Sequence, residues 1–138
     1  MNRFSNKVFD VAFCGTTDGT NIQQWGWLDN DCQKWQFLTT TDGWLRIVNK
    51  NSGKVAAAPD PCQQPGASIE LLTWTGTACQ QFRLQPVGGV MLVNANSGKA
   101  LDVAVCNGTG GAAIQQSARG SVSAMDVHTY GQCILHCD

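Results

Sequence analysis

The chain has 138 residues, enough for one domain with its own core and too few for two. Nine Lys and Arg against ten Asp and Glu leave a net charge of -1, with 14% of residues charged. No basic cluster exists to displace phosphate counterions, and no run approaches the ~18 apolar residues of a spanning helix; nucleic-acid and membrane partners are therefore not expected.

In chain order, Asn2-Arg3-Phe4-Ser5-Asn6-Lys7-Val8 leads to Asp10 and Cys14, then to an alternating strand, Asn21-Ile22-Gln23-Gln24-Trp25. Cys32-Gln33-Lys34-Trp35-Gln36-Phe37 follows, and a strand over Gly43-Trp44-Leu45-Arg46-Ile47-Val48-Asn49 enters an Asn-Ser-Gly turn. The order then repeats. Asn49-Lys50-Asn51-Ser52-Gly53-Lys54-Val55 precedes Cys62, the strand from Ser68 to Trp74, and Cys79-Gln80-Gln81-Phe82-Arg83-Leu84. Val90-Met91-Leu92-Val93 enters Asn94-Ala95-Asn96-Ser97-Gly98-Lys99-Ala100, followed by Cys106 and Ala113-Ile114-Gln115-Gln116. No window sustains helical spacing of apolar residues. The chain is all-β, with three copies expected near residues 1–38, 39–86 and 87–138 of a single domain. The period also fits propeller blades, but three blades do not close a propeller; a closed threefold barrel leaves no exposed edge.

Gln33-Lys34-Trp35, its variant Gln80-Gln81-Phe82, and Ser97-Gly98-Lys99-Ala100-Leu101-Asp102-Val103 resemble the ricin B-type (R-type) lectins, or family 13 carbohydrate-binding modules. The resemblance covers about residues 1–116 and implies a β-trefoil that binds carbohydrate. Copy one lacks its opening strand, since Met1 aligns with Val48, and copy three stops at Gln116, so the first and third repeats are incomplete. Residues 117–138 match neither earlier copy. In the family fold the first and last strands are neighbours, so Val127-His128-Thr129-Tyr130 and Cys133-Ile134-Leu135-His136 are expected to insert there as strands, pinned by Cys106–Cys133. The alternative is a dimer through the open seam.

The resemblance also implies one pocket per copy, built from an Asp, a strand Gln and an aromatic. In copy one these are Asp10, Gln23 and Trp25. A sugar presents a C–H face to the indole, and its hydroxyls require a planar acceptor such as a carboxylate. The family's loop Asn is Cys32 here, with Asn30 or Asp31 as its substitute. Gln33 belongs to the same motif, although its bland role is to brace the loop, as Trp35 and Phe82 pack in the core. Copy two keeps Trp74 but has Ala57 for the Asp and Glu70 for the Gln, with Asp60 as a stand-in. Copy three keeps Asp102 and Gln115 but has Ser117 for the aromatic. Copy one is expected to dominate.

Seven cysteines indicate an oxidising compartment and a secreted protein, while Met1-Asn2-Arg3-Phe4 does not open a signal peptide. The expectation is a module cut from a longer secreted chain. Cys14 with Cys32 and Cys62 with Cys79 recur at equivalent places, which favours disulfides over metal ligands. His128, Cys133, His136 and Cys137 are set aside as a zinc set, and no metal or other cofactor is expected. No pair of carboxylates suggests a glycosidase and no catalytic residue is assigned, so the reading leans toward a binding module and leaves enzyme activity open. The leading reading is a module that tethers a glycoside hydrolase to a galactose-, arabinose- or xylose-containing glycan. Two alternatives are a small standalone esterase or glycosidase using a tail histidine, and a trefoil that binds or inhibits protein.

Overall fold

The computed structural model describes residues 3–41, 43–59, 62, 68–86, 90–103, 114–117, 124–127 and 133–137. Twelve antiparallel strands join one continuous sheet, with no α-helix among the described residues. They are β1 (Arg3–Val11), β2 (Thr20–Gly26), β3 (Trp35–Thr39), β4 (Leu45–Asn49), β5 (Val55–Ala57) and β6 (Glu70–Leu72). The second half holds β7 (Phe82–Pro86), β8 (Val90–Asn94), β9 (Ala100–Val103), β10 (Ile114–Ser117), β11 (Ala124–Val127) and β12 (Cys133–Cys137).

The repeat is visible in register. Val11 pairs with Ile22, and Ile114 with Val103; in copy two, Ile69 holds the same place one step past the Ala57–Glu70 pair. Ile22, Ile69 and Ile114 are each fully buried. Their backbones connect the three copies, the Ile22 N–H donating to Ile69 and the Ile69 N–H to Ile114, at 3.1 and 2.7 Å. Around them Phe9, Val11, Trp35, Ile47, Leu71 and Phe82 complete the core. Trp35 meets Phe9 edge to face at 6.5 Å, and its indole N–H donates to the Phe9 carbonyl. The aromatic of the Gln-x-Trp motif is thus core packing.

The Asn-Ser-Gly turn is explained atom by atom. Asn49 Oδ1 accepts from the Asn51 and Ser52 N–H groups, while its Nδ2 donates to the Cys32 carbonyl. Asn94 makes the same set with Asn96, Ser97 and Cys79. Gly53 and Gly98 take φ of 73° and 70°, a left-handed conformation that favours glycine. Copy one has Asn6 at that position, and the segment runs as strand within β1.

The tail supplies the places that the repeat leaves empty. Ile134 on β12 pairs with Val8, as Val48 pairs with Val55 and Val93 with Ala100. β12 therefore takes the place of the missing opening strand of copy one. β11 pairs with β12 as β3 pairs with β4, which sets Met125 at the register position of Trp35 and Phe82. Two tail strands form: Cys133–Cys137 where one was expected, and Ala124–Val127, which shares only Val127 with the expected Val127 to Tyr130 segment. The edge of β1 offered to a dimer partner is occupied by β12 of the same chain. Cys106 lies outside the described residues, as do residues 128–132.

Candidate functional site

The β1–β2 pair sets Asp10 opposite Gln23 and Val8 opposite Trp25. Residues two apart on a strand share a face, so Gln23 and Trp25 stand side by side. Gln23 Nε2 donates to Asp10 Oδ2 at 2.9 Å. Burial pushes the Asp10 carboxyl above the usual carboxylate value, and the Gln23 and Gln33 amides pull it back. A carboxylate has about four lone-pair sites, so two amides leave room for a ligand's hydroxyls.

These side chains line a cleft of about 290 Å³ together with Phe13, Leu28, Asn30 and the Cys14–Cys32 disulfide. Only 7% of Asp10 is exposed, whereas 41% of Trp25 is, so a buried acceptor lies beside an accessible ring. Asn30 Oδ1 accepts from the Cys32 N–H, which leaves its amide N–H groups to offer a ligand. Asp31 is drawn away, paired with Lys34 and Lys50 at 3.8 and 3.5 Å. Asn30 is the cleft residue of the two.

Gln33 is buried and lies beneath the site. Its Nε2 donates to the Gly26 carbonyl and its Oε1 accepts from the Leu28 N–H. Gln80 does the same in copy two, at the Thr73 carbonyl and the Thr75 N–H. Both glutamines hold the loop that follows the second strand of their copy. Gln33 was counted among the sugar contacts; its amide instead fixes the Leu28 loop and steadies Asp10.

The expected copy-two site needs a correction. The register sets Leu72 opposite Val55, the place Trp25 holds opposite Val8, so Trp74 is not its counterpart. Trp74 carries the Arg46 guanidinium over its ring at 5.1 Å. A cleft of about 360 Å³ does exist there, lined by Leu72, Thr73, Thr75, Thr77 and Asp18. Asp18 comes from the turn before β2; it accepts from Thr73 and pairs with Lys54 at 2.8 Å. Lys54 and then Thr73 hold its carboxyl below the usual value. Asp60, the stand-in expected from sequence, lies outside the described residues. In copy three Asp102 pairs in register with Gln115, with Ser117 opposite Ala100.

Both expected disulfides are present, Cys14–Cys32 and Cys62–Cys79, with Cα separations of 5.3 and 5.7 Å. Each closes a loop worth about 3 kcal/mol by chain entropy. Non-reducing peptide mapping is expected to recover both, and reduction to lower the melting temperature; four free thiols in oxidised protein would contradict the pairing. Phe13, Leu28 and Asp18 were missed from sequence. Phe13 offered a faint signal, an apolar residue in a turn three positions beyond the candidate Asp.

Three copies about a shared core, with clefts in copies one and two among the described residues, define a β-trefoil. The ricin-type beta-trefoil lectin domain-like family matches residues 31–117, well over half of the chain, and the chain belongs to that family. Among solved structures it is similar to the designed threefold-symmetric protein ThreeFoil, at 30% identity and TM-score 0.81, covering 97% of this chain and 92% of that one. It is also similar to 1,3Gal43A, an exo-β-1,3-galactanase from Clostridium thermocellum, at 24% identity and TM-score 0.81, covering 99% of this chain but 29% of that one. The earthworm R-type lectin C-half, solved with GalNAc, matches at 16% identity and TM-score 0.64, covering 99% and 96%. No curated protein matches the chain.

Proposed function

We propose that this domain binds carbohydrate through the copy-one cleft and tethers a secreted glycoside hydrolase to polysaccharide containing galactose, arabinose or xylose. The observation that carries the reading is the pairing of Asp10 with Gln23 beside the half-exposed face of Trp25. The ring accepts a sugar's C–H face while the carboxylate and amides take its hydroxyls. Membership of a lectin-like family supports carbohydrate binding. The tethering role draws support from the galactanase, in which a segment of this size is 29% of a longer chain. Two disulfides fit an extracellular setting.

Affinity electrophoresis in β-1,3-galactan, arabinan and arabinoxylan tests the reading. The domain is expected to be retarded by at least one of them. Trp25→Ala should weaken that binding about tenfold, since burying an aromatic is worth roughly 1.5–3 kcal/mol, part of which a truncated site recovers from its neighbours. Migration unaffected by every polysaccharide and sugar tested would overturn the proposal.

A further inference from the structure

The copy-one cleft has aromatic surface on both sides of its polar floor. Trp25 stands opposite Val8, two residues before Asp10 on β1, so it lies about 7 Å to one side of the Asp10–Gln23 pair. Phe13 lies three residues past Asp10, on the other side, and also lines the cleft. A single pyranose stacked on Trp25 with its hydroxyls on Asp10 is already fully engaged. That ring's stacking face is taken by Trp25, and Phe13 is left without a partner in the cleft.

Phe13 is also the most exposed large apolar side chain among the described residues, at 102% of its reference surface. Its backbone sits at φ 54°, in the left-handed region that bulky residues seldom adopt. Its neighbour Cys14, also at positive φ, ties the turn through Cys32 to the loop that carries Asn30. The aromatic is therefore held out of the core on a cross-linked turn beside the floor. Burial cannot account for it there.

Building on the carbohydrate reading above, we propose that Phe13 is a second stacking platform, and that the cleft binds two or more linked sugar residues. One ring lies on Trp25 and is gripped by Asp10 and Gln23; the next passes Asp10 and lies on Phe13. The ligand is then an oligosaccharide segment of the polysaccharide, with Phe13 setting the length preference.

Titration calorimetry with galactose, arabinose and xylose against β-1,3-galactotriose, arabinotriose and xylotriose tests this. Wild type is expected to bind one trisaccharide about tenfold more tightly than its monosaccharide, equivalent to 1.4 kcal/mol. Phe13→Ala should remove that gain and leave monosaccharide affinity unchanged. Phe13→Trp should keep it, whereas Trp25→Ala weakens both ligands. Phe13 is exposed, so Phe13→Ala should fold as wild type does, and an unchanged melting temperature verifies this. A trisaccharide bound no more tightly than its monosaccharide, or a gain that survives Phe13→Ala, overturns the platform alone. Failure of all six probes on wild type overturns the carbohydrate reading and the platform with it.

Discussion

Removing residues 118–138 is expected to give a protein that aggregates or fails to fold. β12 is the partner of β1 at Arg3, Phe4 and Val8, and β11 meets β8 at Val90. Their loss would open two strand edges, and unpaired edges recruit other chains. It would also empty the register position that Trp35 and Phe82 fill in the other copies. Small domains hold only about 5–15 kcal/mol in reserve, less than the removal of two of twelve strands should cost. Ile134→Pro is the milder test. It removes a ladder donor from β12, and a loss of a few kcal/mol lowers Tm by roughly 10 °C in a chain of this size. A truncated protein that stays monomeric with an unchanged melting curve would show that the tail is not part of the barrel's stability.

The repeat was legible because it is written in residues that do the same structural work in more than one copy. Asn49 and Asn94 close the same turn, Gln33 and Gln80 hold the same loop, and the two disulfides bridge the same places. The Asp10–Gln23 pair was legible for a related reason, since both stand at fixed positions of a repeated hairpin. Trp74 was misread because a tryptophan is a stronger signal to the eye than strand register. Hairpin pairing counts back from the turn, and that count ends on Leu72. The tail's role was only partly legible. Met125 stands where the other copies have an aromatic, so the motif is gone although its strand forms. Register there depends on partners over a hundred residues away, which local pattern does not encode. Phe13 escaped for the opposite reason, being exposed and unrepeated and so leaving no period to detect.

Asp10→Asn is expected to abolish most sugar binding without loss of stability, and this separates the site from the scaffold. Hydrogen bonds to a charged group are worth about 1.5–3 kcal/mol, so losing the carboxylate should weaken binding about 10- to 150-fold. The fold should not suffer, because burial already disfavours the ionised form. The sign follows from proton uptake. A carboxyl whose folded pKa lies above its unfolded value binds more protons when folded, so its ionisation opposes folding as pH rises through the ordinary carboxylate range. At neutral pH the charge is thus a cost carried for function, and asparagine removes it while its side-chain oxygen still accepts from Gln23. The melting temperature at pH 7 should be equal or higher in the variant, with disulfides intact. Binding by wild type should run the other way. It should be full at neutral pH and fall as pH drops through the raised Asp10 value, where the protonated acid no longer accepts two hydroxyls. Calorimetry across pH 3.5 to 7, on wild type and Asp10→Asn, reads both effects. A variant that binds as tightly as wild type, or wild-type affinity that is flat across that range, would remove the carboxylate from the site.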